Sequence, residues 1–506
     1  MSRFFYICQF VLIFVTTMSI MSCSSNTGDG VDFVFDTENI AGDKDEYTRP
    51  AVITGHIANR DVYPELTDIT ISLPFFGRVN RQLTSRIWDD DSFSFEFHPY
   101  ALRDISMPPF IDRLLVGPGD SLHIEIDFAD FSKLSCSGNG SENNEKLHAF
   151  HMKYYSPLWP SFSTYDIDGV GELRRKYGSA EEYKVALDML FDEYKSRLQI
   201  FVSDEHPSEE LVAFCRQEIE ADYYSMLSNQ IPLYAETESL ELSDFFRVAD
   251  VEHLFDAGCF NSRLFLLIPG ISDWILSDMC ERDSFSECLG QLRRSTRNKN
   301  LRQMLLTDMF NAELEKNDVS VFEKEFPLFN KYVMDPLLKL SIRDRYYEKK
   351  AFIEDPRMLS NSILNGDGHG DGISVIQKNN EGLELLRDII SKNSGFAVYI
   401  SIGAAWCQGT RQEMPFQQKL AEDFADRSLR IVNLYLDEGQ NRVDQLTGIE
   451  DYHLKDEQLF GLDPIFHTGR GIPFYILIDK NGIIVDYGEH LRPSLDGTKQ
   501  KISKTL

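Results

Sequence analysis

No C-x-x-C pair occurs anywhere in this 506-residue chain. Its eight cysteines are widely spaced, which excludes the zinc ribbons and fingers built on such pairs. Basic residues are scarce, 51 Lys and Arg against 81 Asp and Glu for a formal charge of −30, and this balance excludes nucleic acid as the main partner. The acidic surplus describes a solvated surface. A convincing repeat period is missing, so nothing supports a solenoid. The one glycine-rich acidic stretch, NGDGHGDG at 365–372, lacks the bidentate glutamate of a calcium loop: counting from Asn365, the twelfth position is Ile376. Apolar residues make up 42% and charged residues 26%, and a chain this long exceeds one ordinary core, so a multidomain globular protein is expected.

What is present begins with an export-type leader. Residues 1–23, MSRFFYICQFVLIFVTTMSIMSC, carry one basic residue, Arg3, an apolar run from Phe4, and then Ile20-Met21-Ser22-Cys23. That end resembles a bacterial lipobox, in which the leader is cut before a cysteine that is then acylated. By this resemblance Cys23 carries a lipid, residues 24–46 are a tether, and the remainder is anchored to a membrane of the bacterial cell envelope, facing the periplasm. An uncleaved membrane anchor is the other reading, because the run is near the ~18-residue lower limit for spanning. Both place the rest of the chain outside the cytoplasm. Six cysteines then remain: Cys136, Cys215, Cys259, Cys280, Cys288 and Cys407. Disulfides are chemically permitted there, but for the five upstream of residue 300 burial as small apolar side chains is expected.

Residues 47–137 alternate in a β fashion. AVITGHI (51–57), DITISL (68–73), SFSFEF (92–97), RLLVG (113–117) and SLHIEID (121–127) are rich in β-branched and aromatic residues and are separated by turn residues. Phe93, Phe95 and Phe97 share one face, as in a half-buried strand of a small β-sandwich. Residues 138–360 change to helical period: Ser179-Ala180-Glu181-Glu182 fits a capping box, followed by Leu187, Leu190, Phe191, Tyr194 and Leu198 on one face. An all-α domain is expected here, with further helices at 208–227 and 321–334. Residues 361–372 form a glycine-rich linker.

From 373 to 506 strand alternates with helix. FAVYISIGA (396–404) and LRIVNLYL (429–436) are buried strands flanking a helix at 411–427. PFYILID (473–479) and GIIVDYG (482–488) are joined by a turn at Lys480-Asn481. This order implies an α/β domain with a mixed central sheet closed by an antiparallel hairpin.

Cys407 sits where the first of these strands hands over to the helix. Unpaired N–H groups and the positive end of the helix dipole stabilise an anion there, and cysteines so placed have depressed pKa values. Arg411, one turn on, adds positive charge. At the position of a resolving cysteine stands Thr410, which has no sulfur but whose hydroxyl is able to donate to the Cys407 sulfur.

Trp406-Cys407-Gln408-Gly409-Thr410-Arg411-Gln412-Glu413-Met414-Pro415 resembles the W-C-x-x-C-R-x-E-x-P signature of TlpA-like, membrane-anchored thiol-disulfide oxidoreductases of the thioredoxin superfamily. Gly471-Ile472-Pro473-Phe474 with the following ILIDKNG hairpin resembles the segment that carries that superfamily's cis-proline. The resemblance implies a thioredoxin-like fold for 373–506, a cis Pro473 facing Cys407, and Ile472 backbone groups presented to a bound peptide beside Trp406. Arg492-Pro493-Ser494, and the upstream order of lipobox, β domain and helical insert, fit the lipoprotein branch found in Bacteroidetes-type bacteria. Two departures stand out. Thr410 replaces the resolving cysteine, and Ser401 occupies the site of the buried aspartate that thioredoxins carry six residues before their first cysteine. Glu413 matches the glutamate that the TlpA-like branch uses instead. It is either a carboxylate that tunes Cys407 or shuttles a proton, or a solvated first-turn residue favoured by the dipole.

Three functions fit these residues. The first is thiol-disulfide exchange through the single thiolate of Cys407, of isomerase or mixed-disulfide type, needing an external thiol for release. Its partners are protein thiols and disulfides or low-molecular-weight thiols, with no cofactor and no metal. The second is a redox-inactive binding or scaffold lipoprotein that keeps the fold. The third is a thiol peroxidase, suggested by Cys-Gln-Gly-Thr, although such enzymes resemble one another in a downstream Trp-Asn pair and this chain has no tryptophan after Trp406.

Overall fold

A computed structural model describes residues 49–506 apart from 65, 75–79, 109, 132–133, 157–175, 235–237, 239, 241–243, 257–258, 277–284, 358, 361–380, 405–406, 426–427, 437–447, 456–457, 460–461, 463–465 and 467–471. The leader with Cys23, the tether to residue 46, the glycine-rich 361–372, Cys280 and Trp406 lie outside the described residues. Among the described residues no helix is long and apolar enough to cross a membrane.

The alternation of SFSFEF does what it implies. In β4 (Ser92–Phe97) the three phenylalanines are buried and the residues between them are not. β4 pairs antiparallel with β1 (Ala51–Ala58), and β1 runs parallel to β7 (Ser121–Asp127), which pairs with β8 (Leu134–Gly138). A second sheet has the order β3-β2-β5-β6, formed by β2 (Asp68–Pro74), β3 (Asn80–Arg86), β5 (Leu102–Met107) and β6 (Ile111–Val116). Ile53, Phe93 and Ile124 of the first sheet and Ile71 and Ile105 of the second belong to one apolar core.

That core does not stop at the last strand. It continues into Leu267 and Ile268 of the helical region, and into Phe310 and Leu338 beyond. The two-residue β9 (Cys259–Phe260), from within the helical stretch, pairs in parallel with β5. The sheets and helices therefore share buried surface across residue 138.

The helices are α1 (Ser141–Lys153), α2 (Ala180–Glu205), α3 (Glu209–Tyr234), α4 (Ser262–Leu276), α5 (Phe285–Ser295), α6 (Lys299–Leu314), α7 (Ser320–Tyr332) and α8 (Pro336–Glu354), with a short turn of helix at Val248–Val251. Ser179 caps α2 by accepting from Glu182 N–H at 3.2 Å. A buried ionic node ties strands to helices. Glu218 of α3 is met by His151 of α1 at 3.0 Å and by Arg113 of β6 and Arg263 of α4 at 3.6 Å each. Arg113 also pairs with Asp104 of β5 at 2.7 Å, and Asp104 accepts from the Ser262 backbone and hydroxyl.

Among the described residues the C-terminal sheet has five strands in the order β12-β11-β10-β13-β14. Its centre is β10 (Ala397–Gly403), buried along its whole length, which explains the near-continuous apolar run. β11 (Leu429–Tyr435) and β12 (Ile449–His453) run parallel to it, whereas β13 (Phe474–Ile478) and β14 (Ile484–Tyr487) form the antiparallel hairpin. One face packs on α9 (Glu381–Lys392) through Leu383, Leu386 and Ile389. The other packs on α10 (Gln408–Asp423) and α11 (Asp496–Thr505) through Leu420, Phe424 and Ile502. The edge at β14 is covered by the helical region: Ile484 N–H donates to Ser360 Oγ at 2.8 Å, Lys349 of α8 lies 4.5 Å from the Tyr487 ring centre, and Asn317 donates to Asp486 and to the Tyr487 carbonyl.

Candidate active site

β10 ends at Gly403 and α10 begins at Gln408, one turn earlier than apolar pattern alone implies, because Cys407 is its N-cap residue (φ −74°, ψ 122°). Arg411 N–H donates to Cys407 O at 3.1 Å and closes the first helical turn. The sulfur thus lies at the end of the helix where backbone N–H groups have no intrahelical acceptor. It is half-buried. Cys407 Sγ donates to Ile472 O at 3.3 Å. The Ile472–Pro473 peptide bond is cis. A Cβ on Gly409 would stand 2.9 Å from Pro473 Cδ and 3.8 Å from Cys407 Sγ, so only glycine lets the helix head approach the proline this closely.

Thr410 is buried at 4% exposure. Its hydroxyl accepts from Ala404 N–H at 3.3 Å. The side chain is held against β10: a Cβ on Gly403 would lie 2.7 Å from both Thr410 Cγ2 and Oγ1. The reason is the bend between strand and helix, which leaves Ala404 N–H without a sheet partner and directly under residue 410. Arg411 is exposed.

Glu413 is neither in the first turn nor solvated, which removes the second of its two sequence readings. It is 8% exposed and accepts from Ser494 N–H at 2.9 Å and from Ser494 Oγ at 2.7 Å. The sixth residue of α10 faces the sheet, and the segment after β14 folds over it. In the sequence Ser494 stands out only as part of an Arg-Pro-Ser tripeptide, and nothing local in that tripeptide marks it as a carboxylate partner.

The floor of the site is polar. Ser401 of β10 stands in register between Asn433 of β11 and Tyr475 of β13. Gln417, one turn beyond Glu413 on α10, donates to Asn433 Oδ1 at 2.5 Å, and Asn433 donates to Asp451 at 2.9 Å. Sequence reasoning misses Tyr475, because there it is one more aromatic of a buried strand.

The structure brings Cys407, Thr410, Glu413, Ile472 and Pro473 into one cluster, with Arg411 at its exposed rim. Cys136, Cys215 and Cys407 are free thiols. Cys215 and Cys288 are buried; Cys136 is half-buried, and burial together with the nearby Glu145 carboxylate pushes its thiol up to about 12. Among the described residues no group of three or more His, Cys, Asp or Glu side chains is arranged to hold a metal ion.

No family model matches the chain. The C-terminal part is similar to thiol-disulfide oxidoreductases. Thiol-disulfide oxidoreductase ResA of Bacillus cereus is 29% identical over 114 residues, which is 22% of this chain and 65% of that protein. ResA of Bacillus anthracis gives the same identity and coverage. The chain thus spans 65% of the length of the curated relatives it matches. Solved structures that resemble it include a thiol:disulfide interchange protein from Bacteroides sp., at 20% identity over 23% of this chain and 76% of that one, with a TM-score of 0.19. Another is the thioredoxin domain of a thiol-disulfide oxidoreductase from Bacteroides vulgatus, at 22% identity over 23% and 82%, also with a TM-score of 0.19.

Proposed function

We propose that this protein is a lipoprotein of the bacterial cell envelope, anchored through Cys23 and facing the periplasm, whose thioredoxin-like region exchanges disulfides through Cys407 alone. One observation carries the reading. The sulfur at the head of α10 faces the carbonyl before Pro473 at 3.3 Å, while the residue one turn on is a threonine.

In the first step the Cys407 thiolate attacks one sulfur of a disulfide R–S–S–R′. A bond forms between Cys407 Sγ and the R sulfur, the old S–S bond breaks, and R′ leaves with the electron pair as a thiolate that takes a proton from solvent. Thr410 has no sulfur with which to attack this adduct. An external thiolate therefore attacks the R sulfur, forms the new disulfide and releases Cys407 as a thiolate. The number of disulfides is unchanged over the cycle, which is isomerase or mixed-disulfide chemistry rather than net reduction. Arg411 supplies positive charge at the rim, Ile472 and Pro473 face the substrate chain, a role the resemblance also assigns to Trp406, and the Glu413 carboxylate tunes Cys407 or shuttles a proton.

The test is incubation of the processed protein with a glutathionylated peptide, read by mass spectrometry. An adduct on Cys407, absent in Cys407→Ala and discharged only by added glutathione, supports the reading. Absence of the adduct, or turnover without an external thiol, overturns it.

A redox-silent binding role is the second reading, and the packing of Thr410 against Gly403 favours it, since the resolving position is filled by a side chain held on the sheet. Under that reading Cys407→Ala leaves partner binding intact and no adduct forms.

A further inference from the structure

Between α6 and α7 the chain turns at Asn317, whose backbone is left-handed (φ 49°). Asparagine is among the few residues with a side chain that adopt this conformation readily. Both ends of its amide are engaged. The oxygen accepts from Lys349 Nζ at 2.7 Å, and the nitrogen donates to Asp486 Oδ1 at 2.9 Å and to the Tyr487 carbonyl at 2.6 Å. An ammonium only donates, whereas an ionised carboxylate and a carbonyl only accept, so the amide has a single orientation here. Neither aspartate nor leucine meets both demands. Burial pushes the Asp486 carboxyl up, but the hydrogen bond and charge of His490, at 3.0 Å, and the charge of Lys501 of α11 outweigh it and hold the carboxyl below its ordinary value. The acceptor facing Asn317 is therefore ionised.

From this node the chain runs through residues 488–494 to the candidate site. Gly488 (φ 128°) starts the segment, and a Cβ there would stand 3.3 Å from the Glu315 carbonyl, so backbone of the helical region lies against its first residue. Gly488 N–H donates to Tyr475 O at 2.9 Å, and the Tyr399 hydroxyl donates to Leu491 O at 2.5 Å. Ser494 ends the segment, and its N–H and hydroxyl hold the Glu413 carboxylate at 2.9 and 2.7 Å. Every link from Asn317 to Glu413 is thus a hydrogen bond or a stretch of covalent chain.

We propose that Asn317 is a positioning residue of the candidate site: by holding Asp486 and Tyr487 it fixes where the 488–494 segment starts, and so where Ser494 meets the Glu413 carboxylate. The inference rests on the thiol-exchange reading above in treating Glu413 as part of a working site. Its consequence is regulatory. Whatever moves the corner between α6 and α7 is felt at Glu413, because the packed links between them are contiguous.

The experiment is hydrogen–deuterium exchange of the processed protein, wild type and Asn317→Gly, with single amides resolved by fragmentation in the mass spectrometer. Glycine accepts the left-handed backbone, so the variant removes the side-chain bonds without adding strain. The Ser494 amide is expected to exchange about tenfold faster, the weight of a lost hydrogen bond to a charged group, while the amides of β10 and α6 keep their wild-type rates. An unchanged Ser494 rate overturns the inference. Uniform acceleration of all three also overturns it, since it would mark Asn317 as a residue of general stability. Should Asn317→Gly not fold, Asn317→Asp, which keeps an acceptor for Lys349 but loses both donors to β14, is read in the same way. Exchange does not involve the Cys407 sulfur, so a wild type that forms no adduct ends the thiol-exchange reading while the link between Asn317 and Ser494 is still decided by the amide rates.

Discussion

Cys407 Sγ and the carbonyl oxygen of Ile472 lie 3.3 Å apart although 65 residues separate them in the chain. β10 and β13 make this possible by pairing antiparallel, with Ile402 opposite Phe474, so that the end of one strand and the start of the other meet at the same edge of the sheet. The approach is closed by Gly409 against Pro473. Strand register thus brings a cysteine, a glycine and a proline to one place, where their own close packing completes the site.

Replacing Thr410 by cysteine (Thr410→Cys) places a second sulfur one turn beyond the first. Reduction of insulin disulfides, expected to be absent in the wild type, should appear, together with a crosslink between Cys407 and the introduced sulfur under oxidising conditions. Loss of the acceptor for Ala404 N–H costs about 1–2 kcal/mol of stability. Turbidity assays and thermal melts of the variant check both halves, and a well-folded but silent variant speaks for the scaffold reading.

Gly403 and Thr410 are coupled by contact. Gly403→Ala puts a methyl group 2.7 Å from the Thr410 side chain and is expected to destabilise the protein by about 1–3 kcal/mol. In the Thr410→Ala background the clash is relieved, so a double-mutant cycle in denaturant should show an interaction energy of about 1 kcal/mol or more. Simple additivity would mean that the two side chains do not touch.

Ser494 gives Glu413 two hydrogen bonds from one residue. Ser494→Ala removes the hydroxyl donor to a buried carboxylate and should cost about 1.5–3 kcal/mol, the range for bonds to charged groups. In Glu413→Gln the same serine substitution should cost less, because the charge is gone. Equal losses in both backgrounds, measured by chemical denaturation, would show that Ser494 does not act on the carboxylate.

The ionic node at Glu218 makes the upstream region sensitive to acid. Burial by itself pushes this carboxyl up; the His151 charge and hydrogen bond, with Arg113 and Arg263, outweigh it and hold the carboxyl at about 2. A carboxyl whose folded value lies below its unfolded value of 4.5 stabilises the protein above that value and loses the contribution as pH falls towards 2. Unfolding free energy should therefore fall between those limits, and Glu218→Gln, destabilised by about 3 kcal/mol at neutral pH, should show a flatter acid limb. An unchanged slope in the variant would assign the acid transition to other carboxyls.

Much of the fold is local and legible as such. Phe93, Phe95 and Phe97 alternate because a strand has period two, and Ser179 caps α2 because a hydroxyl before Glu182 reaches its N–H. β10, β11 and the β13–β14 hairpin follow from apolar runs and turn residues. β12 (IEDYH) does not show itself, since an edge strand that is half-exposed needs no apolar run. α9 and α11 also escape a local reading, as does the continuation of the sandwich core into the helices, because a buried face does not name the surface it will meet.

At the site the chemical inventory is written in the chain: one sulfur at a strand-to-helix junction, a threonine where a second sulfur would stand, a glutamate six residues on, and a proline on a later strand. What those groups face is settled by folding alone. Packing turns Thr410 to Ala404, joins Glu413 to Ser494, and stacks Tyr475 on Tyr399. Residue identity and spacing are fixed along the chain, whereas hydrogen-bond partners between buried groups depend on register and packing between elements tens of residues apart, and no local period encodes them.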